Sequence, residues 1–409
     1  MSAPARRSAL IFIIATLLID MLGIGLVWPI LPPLIRELTG EGVDGAAAIY
    51  GFLLSIYAVM QFLLGPFVGL LSDRFGRRPV LLISLFALGI DYIILALAPT
   101  LAWIVVGRIV AGILGATIST ANAYIADITP PEGRAVAFGL VGAAFGVGFT
   151  LGPLMGGVLG DIDLRLPFWV AAGLSFANVA FGYFMLPESL PPEKRTAIDP
   201  TKANPFGALL YIRRYGSIAV LIAALFLTGI AQQGLQGIWV LWTEAQFGFG
   251  IAEAGYSLAW VGVCMAFVQG YLVRVVVPRF GERAVILGGY CLSMLAFLTL
   301  PFVSSVPLLY ANIFVHICGW GTAGPSLQAV MSKAVPETEQ GLLQGTLSSV
   351  NTLAMIVGPL LATQVFAWTT GADAAFVMPG SFYLVGAALF VVAIALLLGE
   401  RRRLRRASI

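Results

Sequence analysis

Three ionisable residues interrupt long apolar stretches of the 409-residue chain and are the first candidates for chemistry. Asp20, Asp91 and Arg108 each stand in the middle of a hydrophobic run, away from its ends. An ionised side chain at the centre of a bilayer costs at least about 2.5–3.5 kcal/mol and marks a candidate functional site. Burial disfavours the charged form of a carboxylate. Asp20 is therefore expected to gain and lose a proton near neutral pH.

Asp91 and Arg108 are placed to form an ion pair. Asp91 lies eight residues before Pro99, and Arg108 lies eight residues after Thr100. On two antiparallel helices joined at this turn, both side chains would lie roughly 12 Å from the turn, at about 1.5 Å of rise per residue. The pair can be structural, and Arg108 can also bias the protonation of Asp20 electrostatically. Asp20 has no equally obvious partner.

The composition indicates that membrane helices hold these residues. The chain is 59% hydrophobic and 11% charged, whereas soluble domains carry about 25% charged residues. Its net charge of +3 forms no basic stripe, which argues against nucleic-acid binding. Three separated cysteines and one histidine offer neither a disulfide framework nor a zinc site, so no metal and no cofactor are expected. The sequence shows no cluster of nucleophilic residues of the kind that an enzyme needs, so an enzyme is not expected.

Twelve apolar runs are long enough to cross a bilayer, which needs about 20 residues. The first run carries Asp20 in its middle and lacks a small-residue cleavage site, so we interpret it as a retained helix and not as a signal peptide. The expected fold class is an all-α integral membrane protein. The predicted helices cover residues 9–31, 46–71, 79–98, 102–125, 136–158, 166–186, 217–240, 254–276, 284–303, 306–331, 342–368 and 377–398.

The helices divide into two six-helix halves, residues 1–186 and 217–409, joined by a polar linker at 187–216. Two motifs recur between the halves. Arg74-Phe-Gly-Arg-Arg78 returns as Arg279-Phe-Gly-Glu-Arg283 after 205 residues, and Gly152-Pro-Leu returns as Gly358-Pro-Leu after 206. Such repeats indicate pseudo-symmetric halves, which in secondary transporters place a substrate site between them near the midplane.

Basic residues predict the orientation of the chain. Lys and Arg concentrate in the linker, near both chain ends and in alternate loops, and only Arg36 and Arg165 fall in loops on the opposite side. By the positive-inside rule, both termini are cytoplasmic. The basic run after Glu400 is expected to anchor the tail to lipid headgroups.

The loop Gly69-Leu-Leu-Ser-Asp-Arg-Phe-Gly-Arg-Arg78 resembles the loop signature of the major facilitator superfamily. Several further segments resemble the tetracycline-efflux type of drug:proton antiporter: Leu18-Ile-Asp-Met-Leu-Gly-Ile-Gly-Leu-Val-Trp-Pro-Ile-Leu-Pro32, Gly107-Arg-Ile-Val-Ala-Gly112, Ala123-Tyr-Ile-Ala-Asp-Ile-Thr129, Gly152-Pro-Leu-Met-Gly-Gly157 and Gln340-Gly-Leu-Leu-Gln-Gly345. The resemblance implies a multi-pass carrier of the plasma membrane, in bacteria the inner membrane, that exports a small amphipathic organic compound in exchange for protons. The family assigns residues at the places of Asp91 and Arg108 to transport, so these two join Asp20 as expected proton-coupling residues. A proton-coupled or uncoupled uptake carrier for a small organic solute is the alternative.

The resemblance also implies a cytoplasmic gate. In the family, the acid at Asp73 is thought to hold this gate shut, beside Arg74, Arg77 and Arg78. Asp127 and Arg134, in the matching loop between predicted helices 4 and 5, are candidates for the same latch. The alternative for Asp73 is a loop acid neutralised by its basic neighbours.

Predicted helix 5 is rich in glycine. Gly142, Gly146 and Gly148 precede Gly152, Pro153, Gly156 and Gly157, and small residues at four-residue spacing let a neighbouring helix approach closely. Pro153 is expected to kink the helix. Generic membrane packing is the alternative, but the resemblance to the antiporter motif favours a seal that works when the halves rock.

Candidates for substrate contacts are polar or aromatic residues within the spans. In the first half they are Asp20, Asp91, Gln61 and Asn122, of which the last two can equally make helix–helix hydrogen bonds. In the second half, where ordinary packing is the alternative, they are Trp239, Trp242, Phe267, Gln328 and Asn351.

Two positions depart from the tetracycline carriers. The acid usual on helix 9 is Leu292 here, and the histidine of helix 8 is Met265. His316 stands elsewhere, and we interpret it as a packed or water-bonded histidine in preference to a proton relay. These departures argue against a metal-chelated tetracycline and favour an amphipathic or cationic compound, which aromatic rings could contact. A small-molecule substrate, protons and the bilayer are the expected partners of a chain that acts as a monomer.

Overall fold

The structure is a computed structural model that describes residues 3–115, 117–130, 134–197, 216–336, 339–371, 374 and 377–407. In these residues, twelve helices are long and apolar enough to cross a membrane. The same residues contain no strand. The all-α, twelve-span fold predicted from the apolar runs is confirmed.

The first six spans follow the predicted runs, except that the predicted end of the first helix at residue 31 is wrong. The helix ends at Val27, because the residue before Pro29 is disfavoured in the helical conformation. A short helix, Leu31–Thr39, comes after the first span and has proline in its first turn, where the missing N–H has no intrahelical partner to lose. The spans are α1 (Ala3–Val27), α2 (Val43–Phe75), α3 (Arg77–Leu97), α4 (Leu101–Leu114 and Thr117–Ile128), α5 (Arg134–Ile162) and α6 (Leu166–Met185).

The second six spans include one irregular helix. They are α7 (Gly216–Phe247), α8 (Ile251–Phe267 and Val273–Phe280, joined by the π-helical turn Val268–Leu272), α9 (Glu282–Thr299), α10 (Val306–Lys333), α11 (Gln340–Thr370) and α12 (Ser381–Ala407). The predicted bounds of the last helix are wrong at both ends. Pro379 and Gly380 delay its start, and it continues beyond residue 398 because leucine and arginine are good helix formers.

The chain forms two compact units. Unit 1 comprises Met1–Gly40, Val59–Asn204 and Gly250–Gly262, and unit 2 comprises Glu41–Ala58, Pro205–Phe249 and Val263–Ile409. The first turns of α2 thus belong to unit 2, and the first turns of α8 belong to unit 1. The division into two repeated halves at 1–186 and 217–409 stays a prediction.

Each unit has its own apolar core. In unit 1, α1 packs on α5 and α6, and α3 packs on α4 and α6. The buried side chains there include Phe12, Leu17 and Tyr124. In unit 2, α7 packs on α11 and α12, and α9 packs on α10 and α12. In this way α1, α3 and α4 carry the three intramembrane charges into the interior of unit 1.

Candidate functional site

Asp20 is a buried acid in the middle of α1. The residue is 6% exposed, and its Oδ1 atom has no hydrogen-bond partner in the described part of the chain. One turn away, Thr16 donates a hydrogen bond to Asn178 of α6 at 3.1 Å. The next residue in the chain, Met21, lies against Gly148 of α5. Asp20 therefore stands where α5 and α6 cover α1, and its charge has no counterion there when the carboxyl is ionised.

Asp91 and Arg108 form the ion pair that their equal depth predicts. Arg108 Nη2 donates to Asp91 Oδ2 at 2.6 Å, and the two side chains are 13% and 0% exposed. The pair is incomplete, because Asp91 Oδ1 and Arg108 Nε have no partner among the described residues. A side chain at Gly107 would contact Asp91 Oδ1, so this glycine leaves room for the carboxylate. No ion pair between described residues joins Asp20 to Arg108.

Gln61 and Asn122 meet different surroundings. Helix α4 is interrupted after Leu114, and Gln61 Nε2 of α2 donates to the carbonyl of Gly115 at this break, at 3.4 Å. That contact is the helix–helix hydrogen bond that the sequence offers as the alternative to substrate binding. Asn122 is half-buried, and its Oδ1 has no partner in the described residues. Its amide oxygen can accept a hydrogen bond from a ligand.

Three predicted latch residues meet at the loop between α2 and α3. Arg77 Nη1 lies 2.6 Å from Asp73 Oδ1, and Arg77 Nε lies 3.3 Å from Asp127 Oδ2. One guanidinium thus holds both acids, which ties the end of α2 to the end of α4. The neutralised-acid alternative for Asp73 describes the same contact, so the gating role stays a prediction.

The other latch candidates do not join this contact. Arg78 Nη2 donates to the Tyr183 carbonyl at 2.6 Å, and its guanidinium lies 5.6 Å from the Tyr183 ring centroid. Arg74 is exposed. The side chain of Arg134 lies outside the described residues.

Glu188 is a structural residue of this loop region that the sequence pattern does not reveal. Its Oε1 accepts from the backbone N–H of Arg77 at 2.9 Å, and Oε2 accepts from that of Arg78 at 3.3 Å. Oε1 also accepts from the N–H groups of Ser189 and Leu190. A carboxylate from the segment after α6 therefore caps the first turn of α3, whose own preceding residue is Gly76. The Pro187-Glu188-Ser189 sequence marks a polar turn, but nothing in it names a distant helix as its partner.

The glycines of α5 that lie four residues apart contact α1. A Cβ at Gly152 would lie 2.8 Å from Gly25 Cα, and one at Gly156 would contact the Leu26 carbonyl. A Cβ at Gly25 would in turn lie 2.7 Å from Pro153 Cδ. The predicted close approach of a neighbouring helix is confirmed for this stripe, and the neighbour is α1.

Other glycines of α5 lie on different faces. A Cβ at Gly157 would lie 3.1 Å from Gly255 Cα, at the start of α8, within unit 1. Around Gly142 and Gly146, no atom of a neighbouring helix in the described part of the chain lies within 4 Å of such a Cβ. Assigning these two to a close helix contact is wrong, because positions two and six residues from Gly148 point away from its face at 100° per residue.

The second-half candidates are distributed over several contacts. Trp239 and Trp242 are buried with ring centroids 5.5 Å apart, and Trp242 lies 5.0 Å from the Tyr383 ring. Trp242 thus has the packing role that the sequence left as an alternative. The remaining three are more open: Phe267 is 45% exposed, Gln328 donates to Gln344 of α11 at 3.1 Å, and Asn351 is exposed.

His316 is packed inside unit 2, as its sequence interpretation expects. Its Nε2 lies 2.9 Å from Gln232 Oε1, and its ring lies 5.3 Å from Phe297. Met265 Sδ lies 3.3 Å from Gln269 Nε2. Leu292 is 42% exposed on α9. The two positions that depart from tetracycline carriers therefore present a thioether and an alkyl group.

Twelve spans that enclose a few buried charges define a membrane transport protein. The chain belongs to the Major Facilitator Superfamily, whose family model matches residues 13–279 and 274–408. It is a multi-pass carrier similar to tetracycline-efflux proteins. Because members of this family are transporters, the expectation that the chain is not an enzyme holds.

Its relatives extend over nearly the whole chain. The class C tetracycline resistance protein of Escherichia coli is 41% identical over 387 residues, which cover 94% of this chain and 95% of that protein. The class B protein of Escherichia coli is 34% identical and covers 96% and 95%. The human organic anion transporter MFSD10 has a similar structure, with a TM-score of 0.73 and 26% identity over 97% of this chain and 100% of that one. The nucleoside transporter NupG shares the fold, with a TM-score of 0.76 and 14% identity over 97% and 98%.

Proposed function

We propose that this carrier is a proton-coupled antiporter that exports a small amphipathic organic compound, a tetracycline or another drug, by alternating access. The observation that carries the proposal is the carboxyl of Asp20, which is 6% exposed and has one oxygen without a hydrogen-bond partner among the described residues. An unpaired charge in a spanning helix costs at least about 2.5–3.5 kcal/mol. A bound proton removes that cost, and so does a cationic group of a substrate.

Coupling follows when the proton and the substrate favour different states of one carboxyl. Asp20 takes the proton that drives the exchange, and the substrate leaves as the proton binds. Asp91 already has Arg108 at 2.6 Å, so this pair contributes a polar surface and biases Asp20 electrostatically. The contact of Arg77 with Asp73 and Asp127 stabilises one state of the gate.

The substrate is inferred from the relatives and from two side chains. Tetracycline resistance proteins are similar over nearly the whole chain, which supports an exported drug. Leu292 and Met265 offer no charge or imidazole for a metal chelate. An amphipathic or cationic compound suits the unpartnered carboxyl oxygen of Asp20 and the unpartnered amide oxygen of Asn122, both in unit 1, better.

The proposed setting is the plasma membrane, the inner membrane in bacteria, with both termini in the cytoplasm. The basic residues of the linker and tail support this orientation. We propose that the carrier acts as a monomer, with protons as its coupling ion and without binding nucleic acid.

Exchange in proteoliposomes tests the proposal. Asp20→Asn removes the titrating group while keeping the size of the side chain, and we expect it to abolish drug/proton exchange. Asp161→Asn changes an exposed acid at the end of α5 and should leave exchange unchanged. Full exchange by Asp20→Asn would contradict the assignment of the proton site.

The direction of transport, export or uptake, is tested in cells. Cells that make an exporter should accumulate less of a fluorescent drug, and a protonophore should raise accumulation to the level of cells without the carrier. Greater accumulation in carrier-bearing cells would favour the uptake alternative.

A further inference from the structure

An apolar groove of about 450 Å³ runs along unit 2 where α8, α9 and α10 meet. Helix α8 contributes Leu272, Val276 and Phe280, and α9 contributes Leu292 and Gly288. The hydroxyl of Thr322, which α10 contributes, donates to the Cys318 carbonyl of its own helix at 2.7 Å. The groove therefore presents almost no polar group to its contents.

One end of the groove is basic. Arg279 has its guanidinium 5.6 Å from the ring centroid of Phe280, which lines the groove. Arg283 precedes the lining residue Ala284. Both arginines are exposed, and no acidic side chain of the described residues lies within ion-pair distance of either. The nearby acid Glu282 is paired with Lys333 at 2.6 Å.

This basic end is also the water-facing end. Arg279 is in the last turn of α8, and Arg283 is in the first turn of α9, so the loop between two spans carries both charges. From Ala284 to Leu292, the groove extends about 12 Å along α9 into the span, at 1.5 Å of rise per residue. Two cations at the headgroup level with an apolar groove below them match the two parts of an anionic phospholipid.

We propose that this groove binds one anionic phospholipid, with an acyl chain along α8 and α9 and its phosphate between Arg279 and Arg283. A small drug fits less well, because sites for such ligands combine apolar walls with convergent polar groups, and here the polar groups lie only at the rim. The proposal does not depend on the transported compound or on proton coupling.

Lipid binding to the purified, delipidated carrier tests this by native mass spectrometry, with dioleoylphosphatidylglycerol and dioleoylphosphatidylcholine as probes. Gly288→Leu should fill the groove without straining the helix, because no atom of another described segment lies within 4 Å of a Cβ at this position. The matched control is Gly173→Leu, on an exposed face of α6 with equally open space. We expect Gly288→Leu to weaken phosphatidylglycerol binding at least fivefold and Gly173→Leu to leave it unchanged.

The charge requirement is tested separately with Arg279→Gln and Arg283→Gln. Each should weaken phosphatidylglycerol binding about fivefold, since a basic residue near an anionic surface contributes about 1 kcal/mol. Arg279→Lys should retain most of the binding. Equal binding of both lipids by the unmodified carrier, or no effect of Gly288→Leu, would overturn the proposal. Displacement of a fluorescent amphipathic drug by Gly288→Leu, with lipid binding unchanged, would assign the groove to the drug instead.

Discussion

At the scale of single residues, the contribution of the buried Asp91–Arg108 ion pair to stability can be measured separately from transport. Removing one partner of a buried pair leaves an uncompensated charge and costs about 3–5 kcal/mol, whereas removing both costs less. We expect Asp91→Asn and Arg108→Gln each to lower the unfolding free energy in detergent, and the double variant to lose less than the sum. Unfolding curves measure this, and additive losses would contradict a direct coupling.

Gly107 makes the geometry of that pair testable without removing a charge. A methyl group there would contact Asp91 Oδ1, so Gly107→Ala should displace the carboxylate and lower the rate of drug/proton exchange several-fold. Gly173→Ala, with open space around its Cβ, is the control. Exchange assays on both variants decide the matter. Equal rates would mean that Asp91 can move without consequence for transport.

How much of the site the sequence predicts depends on how far apart in the chain the contacting residues lie. The Asp91–Arg108 contact follows from equal depth on two helices joined by a short turn, because the rise per residue is fixed. The sequence also predicts that Asp20 lies inside an apolar span. It does not predict the packing of Trp242 against Tyr383, because those residues are far apart in the chain and only the packing of α7 on α12 brings them together.

At the scale of elements, one stripe of α5 determines how closely it meets α1. Gly152→Ala would place a methyl group 2.8 Å from Gly25 Cα, where backbone and not a flexible side chain must yield. We expect a lower thermal midpoint and reduced transport. Gly142→Ala is on the same helix, and no neighbouring helix among the described residues comes within 4 Å of its Cβ, so this variant should match the unmodified carrier. Equal stability of both variants would show that the α1–α5 contact relaxes freely.

The capping of α3 by Glu188 yields a local prediction. Glu188→Gln replaces the carboxylate that accepts hydrogen bonds from two N–H groups at the start of α3 with an uncharged amide, which weakens those bonds. Such caps contribute about 0.5–2 kcal/mol to the stability of a helix. Hydrogen exchange in the first turn of α3 should become faster, with α6 unaffected. The control is Glu193→Gln, an exposed acid in the same segment. Unchanged exchange at Arg77 and Arg78 would contradict the cap.

The sequence predicts the spans of the helices better than it predicts irregularities within them. Apolar length predicts all twelve spans, because a bilayer imposes one requirement on each. The break in α4 near Gly115 and the π-helical turn in α8 are not readable from hydrophobicity. The π-helical turn changes the backbone hydrogen bonding and leaves the apolar run unbroken. Gln61 contacts the carbonyl of Gly115 from another helix.

At the scale of the whole molecule, helices that are distant in the chain share one compact unit. In unit 2, Ser55 of α2 donates to the Ile356 carbonyl of α11 at 2.8 Å. Four residues earlier on α2, a Cβ at Gly51 would lie 3.0 Å from Thr363 Cβ. An alternating-access cycle must separate contacts between helices of the two predicted halves, so the α2–α11 contact should be transient during transport.

A reversible cross-link tests that requirement. The variant used has Cys264, Cys291 and Cys318 replaced by alanine and carries Gly51→Cys with Thr363→Cys. The two Cβ atoms would lie 3.0 Å apart, so a small shift of the helices brings them to the Cβ separation of a disulfide, about 3.5–4.5 Å. Oxidation should abolish drug/proton exchange, and dithiothreitol should restore it, because the closed contact can then part again. The Thr363→Cys variant alone, which keeps Gly51, should retain its activity under the same oxidant. Full exchange by a completely cross-linked carrier would show that α2 and α11 stay together throughout the cycle, so that the moving contact must lie elsewhere in the fold.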